Sequence, residues 1–333
     1  MRLPRKPFAF IPSTDCLIDR NALGNANFAV EGGIFMSKYT ETLWTKETVG
    51  ACEARFAERL REIAEMLAAR KSLRVCTLTG PTCSGKTTAA KMLVSELARY
   101  GKRMHVISID DFYYSTDYLQ QISKEKGFDG IDYDSVDTID LGMLRVFCEE
   151  IFTSSVVHCP IFDFECGRRT GYRELSIDEN DVFLFEGIQA SYPEVTALLD
   201  AHGSVSLYIA PHTPIETKDH TFTPNEIRLL RRIVRDENFR ATSAEFTMGM
   251  WESVRRNEEA NIFPYITEKH VAIDSTMPYE LGMLRPFLER ALTAVSPESP
   301  HRREADRILS SMQSIPPLPS AWIEDGFLYN EFI

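Results

Sequence analysis

Gly80-Pro81-Thr82-Cys83-Ser84-Gly85-Lys86-Thr87 fulfils the pattern G-x-x-x-x-G-K-[ST], in which each fixed position has its own task on a nucleotide triphosphate. The glycines let backbone N–H groups close around phosphates, Lys86 reaches the terminal ones, and Thr87 offers a hydroxyl to Mg²⁺. The flanks agree with that reading. Residues 73–79 (LRVCTLT) are β-branched and apolar, as a buried strand should be. After Lys86, the apolar residues Ala90, Leu93, Leu97 and Tyr100 recur at helical spacing, and Gly101 follows as a stop. Strand, glycine loop and helix N-terminus together aim backbone donors and a helix dipole at an anion.

Bulk properties narrow the class. The chain has 333 residues, 44% hydrophobic and 26% charged, an ordinary composition for a soluble globular protein. A formal net charge of −12 argues against a general nucleic-acid or anionic-membrane binder. The seven cysteines are odd in number, scattered, and contain no C-x-x-C pair, which points to free thiols in a reducing compartment. No apolar run approaches the length needed to cross a bilayer. Arg2, Arg5 and Lys6 near the start weakly resemble a transit peptide, but three prolines break any amphipathic helix there. A cytoplasmic location is expected, with no nucleic-acid or membrane partner; association into a homo-oligomer is left open.

Three regions follow from the patterning: an irregular Pro/Asn/Gly-rich arm over 1–45, an α/β domain over 46–295 that contains the glycine loop, and a C-terminal helix and extended tail over 296–333 that packs on it. A helix at 47–70 should pack through Phe56, Leu60, Ile63 and Leu67. Strands are expected at 73–79, 104–109, 156–159, 182–185, 205–209 and 270–273, several of them continuous apolar runs. Such runs favour a mostly parallel central sheet with helices on both faces, the three-layer form of a P-loop NTPase-type fold.

Ligands of an open α/β sheet sit at the carboxyl ends of its strands. Residues 104–109 run into Asp110-Asp111, and 182–185 into Glu186-Gly187. Beside a phosphate loop, those are the places for a base accepting a hydroxyl proton and for a carboxylate on the Mg²⁺ side. Farther on, Arg228, Arg231, Arg232 and Arg235 fall on one broad helical face, with Arg240 beyond. Arginine suits bidentate phosphate contacts, so the region 211–262 reads as a basic helical lid; a salt-bridged surface helix is the competing reading.

With these residues in hand, the sequence resembles the uridine kinase/phosphoribulokinase family of P-loop kinases. The motifs carrying the resemblance occur in order: GPTCSGKTT (80–88), IDDFYY (109–114), DYDSVDTID (132–140), PIFDF (160–164), FLFEGI (183–188) and RLLRRIVRDENFR (228–240). MWESVRRNEEANIFPYI (250–266), MPYELGMLRP (277–286) and LYNEFI (328–333) are similar to a bacterial subgroup whose kinase half is often fused behind a TGS domain; residues 1–40 are too short to supply one. The resemblance implies that Asp110 is the catalytic base, assisted by Lys86 and Arg235. It implies that ATP contacts Gly80, Pro81, Thr82, Cys83, Ser84, Gly85, Lys86, Thr87, Thr88, Arg235 and Arg240. The acceptor side would use Tyr113, Asp134, Phe162, Arg169 and Arg232, and Mg²⁺ would lie between Thr87 and Glu186.

The departures from the family pattern bear on the substrate. Uridine kinases read the pyrimidine with a Tyr, a His and a Gln, where this chain aligns Phe162, Gly167 and Met250. The lid's Arg-Gly-Arg is replaced by Arg240-Ala241-Thr242. A Phe/Gly/Met surface cannot hydrogen-bond a base edge as the usual trio does. The expected activity is ATP- and Mg²⁺-dependent phosphorylation of a hydroxyl on a nucleoside-like small molecule. A non-nucleoside sugar or polyol is the first alternative acceptor, and a non-catalytic ATP-binding regulator the second reading.

Overall fold

The computed structural model describes residues 43–333 except 126, 128, 129, 134, 201 and 202. The arm expected over 1–45 therefore lies almost wholly outside the described residues, and so does Asp134. In chain order the strands are β1 (Val75–Thr79), β2 (Met104–Ser108), β3 (Val156–Asp163), β4 (Arg168–Ser176), β5 (Val182–Glu186), β6 (Val205–Ala210), β7 (Ile215–Glu216), β8 (Thr221–Phe222) and β9 (Val271–Asp274). The α-helices are α1 (Lys46–Ala69), α2 (Lys86–Ala98), α3 (Thr116–Glu125), α4 (Leu141–Thr153), α5 (Pro193–Leu199), α6 (Pro224–Arg240), α7 (Ala244–Asn261), α8 (Glu280–Thr293) and α9 (Arg302–Ser311).

Five strands form one parallel sheet in the order β2-β5-β1-β6-β9. Alternation along each strand divides its side chains between two cores. Cys76, Leu78, Leu184, Leu207 and Ile209 join the core made with α1, α2, α6 and α8. Val75, Phe183, Phe185 and Tyr208 join the other, made with α4 and α5. A sheet buried on both faces needs apolar residues at consecutive positions, which is why β1 and β5 read as continuous runs.

Helix α1 packs as its sequence foretells, with Phe56, Leu60, Ile63 and Leu67 buried, and Thr45 caps it through a reciprocal pair with Thr48. Two expectations change. Tyr100 is 43% exposed, because α2 ends at Ala98 and the side chain falls beyond the packed face. Residues 156–159 belong to no central strand. They start β3, which pairs antiparallel with β4 in a separate hairpin. One face of that hairpin is covered and the other open, so β3 alternates buried and exposed positions.

The C-terminal region packs on the α/β body, but its tail is not simply extended. After α9, short 3₁₀ turns occur at Ser320–Trp322 and Leu328–Glu331. Leu328, Tyr329 and Phe332 are fully buried there.

Candidate active site

The glycine loop joins the end of β1 to α2, at the carboxyl edge of the sheet. Gly85 is the N-cap of α2 with φ of 89°, a left-handed conformation that a side chain would strain. A Cβ there would also collide with Leu328 Cδ1. The loop's backbone runs close beneath β6, since a Cβ at Gly80 would strike the carbonyl of Ile209. Lys86 Nζ donates to the carbonyls of Gly80 (2.8 Å) and Pro81 (3.1 Å), so the ammonium lies over the loop. Thr87 is exposed and Thr88 buried. Ser84 Oγ is buried without a hydrogen-bond partner among the described residues, a donor left over inside the loop. Cys83 is buried, with φ of 57°. Its carbonyl accepts from Arg231 at 3.3 Å.

Both acidic strand ends arrive at this edge. β5 lies between β1 and β2, pairing Leu78 with Glu186 on one side and Ser108 with Glu186 on the other. Burial raises the Glu186 carboxyl above its ordinary value; Asp110 and Glu331 push the same way, while Lys86 and a hydrogen bond from Ser108 oppose. A Cβ on Gly187 would come within 3.9 Å of Asp110 Oδ1, which places Asp110 beside the start of the Glu186-Gly187 turn. Lys86, Glu186 and Asp110 thus share one electrostatic neighbourhood. Asp111 does something else: it accepts a hydrogen bond from the Phe162 N–H (3.1 Å) and so fastens the β3–β4 hairpin to the end of β2. Burial raises its carboxyl as well.

That hairpin brings Phe162 against Tyr113, ring centroids 5.8 Å apart and edge-on. Tyr133 and Phe164 stand beside the same tyrosine at 6.3 and 6.5 Å. Phe164 is 65% and Tyr133 40% exposed, so the cluster presents aromatic surface to solvent. Tyr113 is held by Gln189, whose Nε2 donates to its hydroxyl (2.7 Å) and to the Tyr133 carbonyl (2.8 Å). Gln189 is fully buried and escaped the sequence reading, although it lies three residues beyond Glu186 at the same strand end. Arg169 faces Phe162 across the hairpin, and both of its terminal nitrogens donate to Asp140 Oδ2 at 3.2 Å. Gly167 has φ of 64°, and a Cβ there would collide with Thr116 Oγ1. A histidine at that position would have to displace the Thr116 side chain at the start of α3.

The basic helix α6 divides its labour. Arg228 and Arg231 do not project from a lid; they are 2% and 0% exposed. Arg228 makes a bidentate pair with Glu258 (2.6 and 2.7 Å) and donates to the Thr82 carbonyl (3.3 Å). Arg231 does the same with Glu280 (2.7 and 3.0 Å) and with Cys83. Because buried guanidinium needs a fixed anion, each is paired, and each spare N–H braces the glycine loop. Arg232, Arg235 and Arg240 gather around Asp236 at 3.2, 2.7 and 3.7 Å. Burial opposes the charge on Arg235, yet Cys83, Asp236 and Glu331 more than offset it and raise its pKa.

Among the described residues no helix is long and apolar enough to cross a membrane. The model of the phosphoribulokinase/uridine kinase family matches residues 75–280. The chain is 27% identical to a uridine kinase of Ureaplasma urealyticum over 183 residues, 55% of this chain and 78% of that protein. It is 25% identical to a uridine kinase of Schizosaccharomyces pombe over 257 residues, 75% of this chain but 51% of the relative. Among solved structures, the phosphoribulokinase of Rhodobacter spheroides superposes with a TM-score of 0.39 at 13% identity, covering 59% of this chain and 67% of that one. With the family match spanning the loop, both acidic strand ends and the basic helix, the chain belongs to the phosphoribulokinase/uridine kinase family and is a phosphotransferase with an alcohol acceptor.

Proposed function

We propose that the protein transfers the γ-phosphoryl group of ATP to a hydroxyl of a nucleoside-like small molecule, with Asp110 as the base. The observation that carries this reading is the convergence of Asp110, Glu186 and Lys86 at one edge of the sheet. Asp110 takes the acceptor proton while Lys86 and Arg235 offset charge on the phosphates; catalysis of this kind is positioning plus electrostatics. Thr87 and Glu186 are hard oxygen donors, and a buried carboxylate whose pKa is raised is one a cation would relieve, so the pair fits Mg²⁺. Mg²⁺ held by Thr87 and Glu186 would supply positive charge against the negative charge that develops during transfer.

The exposed rings of Tyr133 and Phe164 favour an acceptor with a flat ring that is stacked and not read along its edge. Tyr113, Phe162, Arg169 and Arg232 would surround it, with Asp134 on its hydroxyls. A second reading, a sugar or polyol acceptor, draws on Gly167, where the backbone and Thr116 leave no room for a base-reading side chain. ATP consumption against a panel of nucleosides and a panel of pentoses, polyols and sugar phosphates decides between them. The first reading predicts turnover of several nucleosides with weak preference among bases, because stacking is tolerant of base identity. Turnover confined to the second panel contradicts it.

A further inference from the structure

The last six residues, 328–333, are built into the back of the nucleotide loop. Leu328, Tyr329 and Phe332 are fully buried, and Leu328 fills the space that glycine leaves at position 85. The Arg231 guanidinium faces the rings of Tyr329 (5.8 Å) and Phe332 (5.5 Å), and Asn238 Nδ2 donates to the Phe332 carbonyl at 3.1 Å. This anchoring delivers one charged group to the loop: the Thr88 hydroxyl donates to Glu331 Oε2 at 3.2 Å. Helix α2 has no acid of its own in its first turn. Glu331 supplies one from 243 residues away, where the helix dipole is most favourable to an anion. Its charge is also felt at Glu186 and Arg235.

We propose that Glu331 sets the nucleotide affinity of the site by competing, as a tethered carboxylate, with phosphate oxygens for Thr88 and the start of α2. The inference rests on the kinase reading above. A carboxylate held by a packed turn has little conformational entropy left to lose, so it competes continuously. A triphosphate arriving at the loop must take the Thr88 hydroxyl from Glu331 and accept a like charge at close range.

Calorimetric titration of the full chain with MgATP and with MgADP, for wild type, Glu331→Gln and Glu331→Ala, tests this. Both variants should bind both nucleotides more tightly, by about three- to tenfold, as expected for one charge at a helix N-terminus. The same factor should appear in KM for ATP more than in kcat. Tightening is a result that damage to a packed tail cannot produce. Unchanged or weaker binding by either folded variant, in a wild type that phosphorylates an acceptor, overturns this inference and leaves the kinase reading standing. A wild type and variants that all fail to bind MgATP overturn both.

Discussion

Among single residues, Glu186 ties the structure to a pH dependence. Its carboxyl is raised chiefly by burial, so the folded protein holds that proton at pH values where the unfolded chain, near the ordinary 4.5, has released it. Stability contributed by this group therefore grows as pH falls through the raised pKa, and the ionised form is a standing cost above it. With Glu186 on the Mg²⁺ side as proposed, activity should run the other way, because the carboxylate is the form that meets a cation. The acid limb of kcat/KM for ATP should lie above the usual carboxylate range, and saturating Mg²⁺ should move it to lower pH. A limb that ignores Mg²⁺ would remove Glu186 from the metal side. The residues of the loop itself were legible because their chemistry is local: G-x-x-x-x-G-K-[ST] carries its own reason at each position. Glu331 and Gln189 were not, since what matters about them is a partner far along the chain, Thr88 for one and Tyr113 for the other.

Among the elements, β1 and β5 were visible as nearly continuous runs because both faces of each strand are buried, and the polar residues they carry, such as Thr77 and Thr79, are buried with them. The β3–β4 hairpin was hidden for the opposite reason. Its second strand, RRTGYRELS, is mostly exposed and looks like loop, and without it residues 156–159 pass for a central strand. Helix α6 shows why charge alone misleads. Arg228 and Arg231 share helical spacing with Arg232 and Arg235, yet Glu258 and Glu280 hold them fully inside, and neither acid can be assigned to its arginine from spacing. The C-terminal end of α6 has a strain that can be measured. Ala241 caps it at φ of 50°, a left-handed conformation that costs a residue with a Cβ about 1 kcal/mol. Ala241→Gly should raise the thermal midpoint by an amount corresponding to roughly 0.5–1 kcal/mol. A lower midpoint would mean that Ala241 makes packing contacts worth more than the strain.

At the scale of the whole molecule, a parallel sheet gathers groups from β1, β2 and β5 at one edge, and the C-terminal tail closes behind the loop that lies there. In the function proposed here, these strand ends form a single reaction centre in which Asp110 deprotonates whatever accepts the phosphoryl group. The direct measurement pairs phosphoryl transfer from γ-labelled ATP with calorimetric MgATP binding, for wild type and Asp110→Asn. Asp110→Asn should bind MgATP about as well as wild type while transfer falls by about 10²–10⁴-fold, the usual worth of a general base. Transfer by Asp110→Asn at the wild-type rate would contradict it.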